Sequence, residues 1–127
     1  GTAYIDAMPE PPPLHWSWLS ELELEFFVSE HSQSGFTGGL NWYRAIRASW
    51  ELLAPWRGAV IRQPSMFIGG SRDDVLKFPN SRASIDNFPH TLPGLHSSHV
   101  LEGAGHWIQR ERADEVNALL LAFLRSL

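Results

Sequence analysis

Only two stretches of this sequence read as β-strands. Pro64-Ser65-Met66-Phe67-Ile68-Gly69-Gly70 is a short apolar run ended by glycines, the pattern of a buried parallel strand. Ser97 to Leu101 is a second, weaker one. A mixed helix or turn region from roughly Pro79 to Phe88 separates them. From about Arg112 to Ser126 runs an amphipathic helix with Val116, Leu119, Leu120, Phe123 and Leu124 on its inner face. Strand, helix, strand, helix is the α/β order. A parallel sheet needs cover on both faces and neighbours at its edges, and two strands alone are marginal. The chain is therefore expected to form one end of a larger sheet.

The first part of the chain has a different character. Residues 9–13 read Pro-Glu-Pro-Pro-Pro, an extended, polyproline-like lead-in. An aromatic-rich turn, Leu14 to Leu19, follows. Ser20 and Glu23 then have the spacing of a capping box, with Leu22, Phe26 and Phe27 at helical spacing behind it. Gly35 ends this helix, and Gly38 and Gly39 are expected in the loop beyond. Leu40 to Leu53 reads as a second helix, with Tyr43, Ile46, Trp50 and Leu53 forming one apolar stripe. Pro55 stops it, and Pro55 to Gln63 is read as the boundary between two modules, residues 1–57 and 58–127.

Composition narrows the partners. Fourteen acidic residues against ten Lys plus Arg leave a net charge of −4, with no basic surface for phosphates, so nucleic acid is not expected as a partner. The absence of cysteine excludes disulfides, thiolate catalysis and Cys-ligated zinc. The longest purely apolar run, Ala118 to Leu124, is far too short to cross a bilayer, and no signal-peptide pattern opens the chain. No membrane partner and a cytoplasmic location are the expectations. The chain begins Gly-Thr-Ala-Tyr, with Met8 only before the prolines, so a processed or engineered start, or the back part of something longer, is expected.

Two glycine-bracketed loops each follow a predicted strand: Gly69-Gly70-Ser71-Arg72-Asp73-Asp74-Val75 and Glu102-Gly103-Ala104-Gly105-His106-Trp107. Functional groups of open α/β sheets gather at the carboxyl ends of strands. An acid that fixes the tautomer of a histidine makes it a useful general base, and Asp73 and His106 are placed for that. Spacing alone equally allows Asp73 to cap the following helix and His106 to be a plain turn residue. Chain order favours chemistry, since α/β-hydrolases run nucleophile, acid, histidine. No Gly-x-Ser-x-Gly elbow occurs, nor its Asp equivalent, and Ser71 has no strand–turn–helix setting that would make it one.

The segments Ser34-Gly35-Phe36-Thr37-Gly38-Gly39-Leu40-Asn41-Trp42-Tyr43-Arg44, Gly70 to Val75 and Gly103-Ala104-Gly105-His106-Trp107-Ile108-Gln109 together resemble the C-terminal half of soluble epoxide hydrolases, and Glu115-Val116-Asn117 also fits. The resemblance runs from about Met8 to the end. The Asp and His loops alone would fit many α/β-hydrolases; Leu-Asn-Trp-Tyr-Arg points to the epoxide branch. It implies an α/β chain: the C-terminal part of an α/β-hydrolase core behind a helical lid. It also implies a two-step reaction without a cofactor. An elbow aspartate opens the epoxide to an alkyl ester, lid tyrosines donating to the epoxide oxygen. A histidine oriented by an acid then activates water to release a vicinal diol. By motif, Tyr43 is one lid tyrosine, Asp73 the orienting acid and His106 the base. Asp74 is the rival to Asp73, but Gly-x-x-Asp-x-Val selects Asp73.

The elbow, the oxyanion-hole loop and the second lid tyrosine belong to the family's N-terminal part. Tyr4 has no motif around it and is not assigned the second role. The expected partners are a small-molecule epoxide and a second chain carrying the N-terminal half with the nucleophile. The competing readings are a haloalkane dehalogenase or serine esterase of the same fold, and a non-catalytic fragment acting as an interaction subunit. His90, His96 and His99 read as surface residues rather than a metal site.

Overall fold

A computed structural model describes residues 16–127. The lead-in prolines, Leu14, His15 and Tyr4 lie outside the described residues. The chain divides into two compact units, residues 1–35 and 36–127.

In the first unit, Trp16 and Trp18 stack at 5.1 Å in a turn closed by the Leu19 N–H on the Trp16 carbonyl. Helix α1 (Glu21–Ser34) starts as its capping box demands. The Glu23 N–H donates to Ser20 Oγ at 3.3 Å and the Ser20 N–H to Glu23 Oε2 at 2.9 Å, so two N–H groups that a helix leaves orphaned are satisfied.

The second unit opens with α2 (Thr37–Arg44) and α3 (Ile46–Leu52), then a 3-10 turn at Ala54–Trp56. The single helix expected over Leu40–Leu53 is corrected in two ways. It begins at Thr37, so Gly38 and Gly39 are helical and not loop. It is also interrupted at Ala45, although the Ala45 N–H still reaches the Asn41 carbonyl and the Ser49 N–H the Ala45 carbonyl. The stripe Tyr43, Ile46, Trp50 and Leu53 is exposed.

Strands β1 (Ser65–Gly70) and β2 (Leu95–Leu101) pair in parallel, Met66 opposite Ser97 through Gly70 opposite Leu101, as the α/β order requires. The crossover contains a 3-10 turn (Asp74–Lys77), α4 (Pro79–Asp86) and α5 (Phe88–Thr91). Phe88 of α5 meets Phe67 of β1 edge to face at 5.2 Å. After β2 come α6 (Ile108–Glu111) and α7 (Ala113–Arg125), whose first turn carries Asp114 and Glu115 and whose last carries Arg125, matching the helix dipole. Of the expected inner face of α7, Val116, Leu119 and Phe123 are half-buried, while Leu120 and Leu124 are exposed. Phe123 sets its ring edge against His96 of β2 at 5.5 Å.

Burial along β2 alternates, Leu95, Ser97, His99 and Leu101 being more covered than His96, Ser98 and Val100. Among the described residues Ala104, 1% exposed, is the only buried hydrophobic side chain. This sheet thus has the sequence of an interior sheet and the cover of a surface one. No helix among the described residues is long and apolar enough to cross a membrane.

Candidate active site

Both strands deliver their carboxyl ends to the same place, and the loops that leave them are stitched together by main chain. The Ser71 N–H bonds the Leu101 carbonyl at 3.0 Å and the Arg72 N–H the Ala104 carbonyl at 2.8 Å. Ser71 Oγ accepts from the Gly103 N–H at 2.8 Å. The approach is close enough that a Cβ on Gly70 would collide with the carbonyl oxygens of Ala104 and Gly105. Gly103 turns the chain at φ +75°, the left-handed region that a side chain disfavours.

This stitching brings Asp73 to His106. His106 Nδ1 stands 3.0 Å from Asp73 Oδ2. The other carboxylate oxygen accepts the Val75 N–H at 2.8 Å, capping the 3-10 turn. One side chain thus both caps the turn and contacts His106. Its side chain is 13% exposed, against 57% for His106. A carboxylate oxygen accepts, so the tautomer that suits this contact has the proton on Nδ1 and the lone pair on Nε2. The neighbouring Asp74 is engaged instead with Lys77 at 2.7 Å, both exposed.

Tyr43 lies near the end of α2, 73% exposed, and its side chain makes no hydrogen bond or ring contact among the described residues. The structure thus joins two of the three sequence-derived site residues and leaves the third uncovered. No group of three or more His, Cys, Asp or Glu residues that could hold a metal forms among the described residues.

Against solved structures, the chain superposes on potato (Solanum tuberosum) epoxide hydrolase I with a TM-score of 0.87 at 39% identity, covering 96% of this chain and 39% of that one. The fold is the C-terminal part of an α/β-hydrolase. An epoxide hydrolase from an endophytic Streptomyces matches this partial α/β-hydrolase with a TM-score of 0.86 at 48% identity, over 94% of this chain and 35% of that one. Among curated proteins, Epoxide hydrolase A of Mycobacterium tuberculosis is 43% identical over 124 residues, 98% of this chain. The chain spans only 37% of that relative's length. No family model matches the chain.

Two residues of this α/β-hydrolase loop pair escaped the sequence reading. Ser71, which lacks the setting of a nucleophile, is a tie between loops. Glu111 belongs to no motif, yet its carboxylate accepts the N–H groups of Gly105 at 2.7 Å and Trp107 at 3.1 Å. A carboxylate bonded to backbone has no periodic signature; the only hint was a carboxylate close behind a glycine-rich turn.

Proposed function

We propose that these residues are the lid and acid–base portion of an epoxide hydrolase, which opens an epoxide to a vicinal diol through an alkyl-enzyme ester. The observation that carries this reading is the 3.0 Å contact of His106 Nδ1 with Asp73, formed at the carboxyl ends of two parallel strands. The similarity to epoxide hydrolases supports it. Residues 1–57 then form the lead-in and lid, and residues 58–127 the end of the core.

In the first step, an aspartate on polypeptide beyond these residues attacks one epoxide carbon and the ring C–O bond breaks. Tyr43 donates its phenolic proton to the departing oxygen, beside a second donor also outside these residues. In the second step, Nε2 of His106 takes a proton from water as that water attacks the ester carbonyl. The acyl C–O bond breaks, the leaving alkoxide takes the acidic proton of the released aspartic acid to complete the diol, and the imidazolium proton of His106 returns through water to the Tyr43 phenolate, which restores all three groups. Asp73 keeps the proton on Nδ1 and stabilises the imidazolium that forms. No metal or cofactor enters either step.

The 127 residues alone are inactive in this reading, because they contain no elbow nucleophile. Partner polypeptide supplies the nucleophile and the missing strands; neither nucleic acid nor membrane takes part, and the enzyme works in the cytoplasm. The test is to assay the complete enzyme with a chromogenic epoxide, a haloalkane and an ester, following covalent adducts by intact mass. Preferential epoxide turnover with an epoxide-sized adduct is expected. Turnover of the haloalkane or ester with the epoxide untouched would replace this reading by another α/β-hydrolase activity.

A further inference from the structure

We propose that Glu111 is a positioning residue for His106, acting through the backbone on either side of the histidine. Its two carboxylate oxygens are divided between the two flanking amides: Oε2 takes the Gly105 N–H and Oε1 the Trp107 N–H. Both bonds are charge-assisted, stronger than bonds to a neutral acceptor. Glu111 is half-buried, and a Cβ on Gly105 would come within 2.9 Å of Oε1, so the turn closes directly onto the carboxylate. Further up the loop, Arg112 donates to the Glu102 carbonyl at 3.1 Å and is itself held by Glu115 at 2.8 Å.

The consequence for His106 is geometric. Its ring is 57% exposed in the side-chain sense, and its side-chain hydrogen bond is the one to Asp73. Little packing is available to hold the ring direction. With the amides at 105 and 107 fixed, the Cα–Cβ vector of His106 is fixed, and Asp73 need only set the side-chain torsions. Without Glu111, the peptide ahead of Gly105 keeps only the Arg72 N–H on its Ala104 carbonyl, and the peptide between His106 and Trp107 loses the acceptor of its N–H. A base misplaced by about 1 Å can cost on the order of 10²-fold in rate.

This inference rests on the proposed two-step reaction, in which His106 serves only the second step. The experiment uses the complete enzyme, nucleophile included, with Glu111→Gln and Glu111→Asp. Gln is isosteric, but its NH₂ cannot accept an N–H, so one flanking amide loses its partner; Asp keeps the charge and shortens the reach. Single-turnover measurements should show ester hydrolysis slowed by about 10- to 100-fold in Glu111→Gln, with ester formation unchanged and the alkyl-enzyme accumulating. Glu111→Asp should recover part of the loss. Amide exchange should quicken at Gly105 and Trp107. Equal slowing of both steps would reduce Glu111 to general stability and overturn the proposal, as would unchanged hydrolysis. If the parent enzyme forms no ester, the reaction reading falls, and the exchange measurement decides alone: unaltered protection at 105 and 107 in Glu111→Gln overturns the clamp, whereas a local loss of protection upholds it.

Discussion

The loops after β1 and β2 and the helices α2 and α3 solve the problem of holding a functional group in opposite ways. The loops are self-sufficient. Their backbone bonds run from one to the other, Asp73 spends one oxygen on its own turn, and Glu111 spends both on the turn around His106. The helices carry Trp42, 83% exposed, beside Tyr43 and Trp50, with apolar side chains facing outward. Exposed apolar area on this scale is typical of interaction surfaces and ligand-binding grooves. The proton transfer proposed for the Asp73–His106 pair thus rests on a contact formed within these residues, while the donor role proposed for Tyr43 rests on a side chain left exposed.

The sharpest way to break this contrast is His106→Gln in the complete enzyme. Hydrolysis of the alkyl-enzyme should fall by up to ~10⁴-fold, the upper range for loss of a general base, and the ester should become isolable. A variant that turns over at the parent rate would end the role of His106. Tyr43→Phe should give the reverse asymmetry: ester formation slowed ~10²-fold, since one of two donors remains, and hydrolysis of preformed ester untouched. Stopped-flow tryptophan fluorescence would separate the two rates. Parent-like ester formation would leave Tyr43 as packing alone.

Stability changes should follow the same division. Gly70→Ala should destabilise the complete protein by about 3 kcal/mol, at the upper end for overpacking, because its methyl meets backbone carbonyls and not a side chain that can swing away. Urea unfolding midpoints measure this, and an unchanged midpoint would mean that the two loops can separate at little cost. Ser20→Ala, at the exposed start of α1, should cost only about 1 kcal/mol and leave both reaction steps alone.

What could be read beforehand follows from how local each signal is. The capping box of α1 is complete within four residues, and β1 announces itself by its apolar run and terminal glycines. Strand β2 began earlier than expected, at Leu95, because His96, Ser97, Ser98 and His99 carry little apolar signal and their pairing comes from β1. The start of α2 at Thr37 is not legible in the sequence, because Phe36 offers no side-chain cap and two glycines follow Thr37. The stripe through Tyr43 stands exposed, because periodicity places side chains on one face and names no partner to cover them. The Asp73–His106 contact was accessible through motif resemblance, and its support by Ser71 and Glu111 was not, since hydrogen bonds from side chain to backbone leave no spacing rule.

Asp73 belongs at once to a turn and to the relay proposed for His106, and that double membership governs how such a chain can decay. A lineage that abandoned catalysis would still be under pressure to keep this aspartate, because the Val75 amide depends on it. The histidine has no such insurance: beyond Asp73, its ring meets only the edge of Trp107 among the described residues. In degenerate copies of this fold the base should therefore vanish before the acid, and a surviving Asp73 beside a replaced His106 would be the mark of an enzyme turned scaffold.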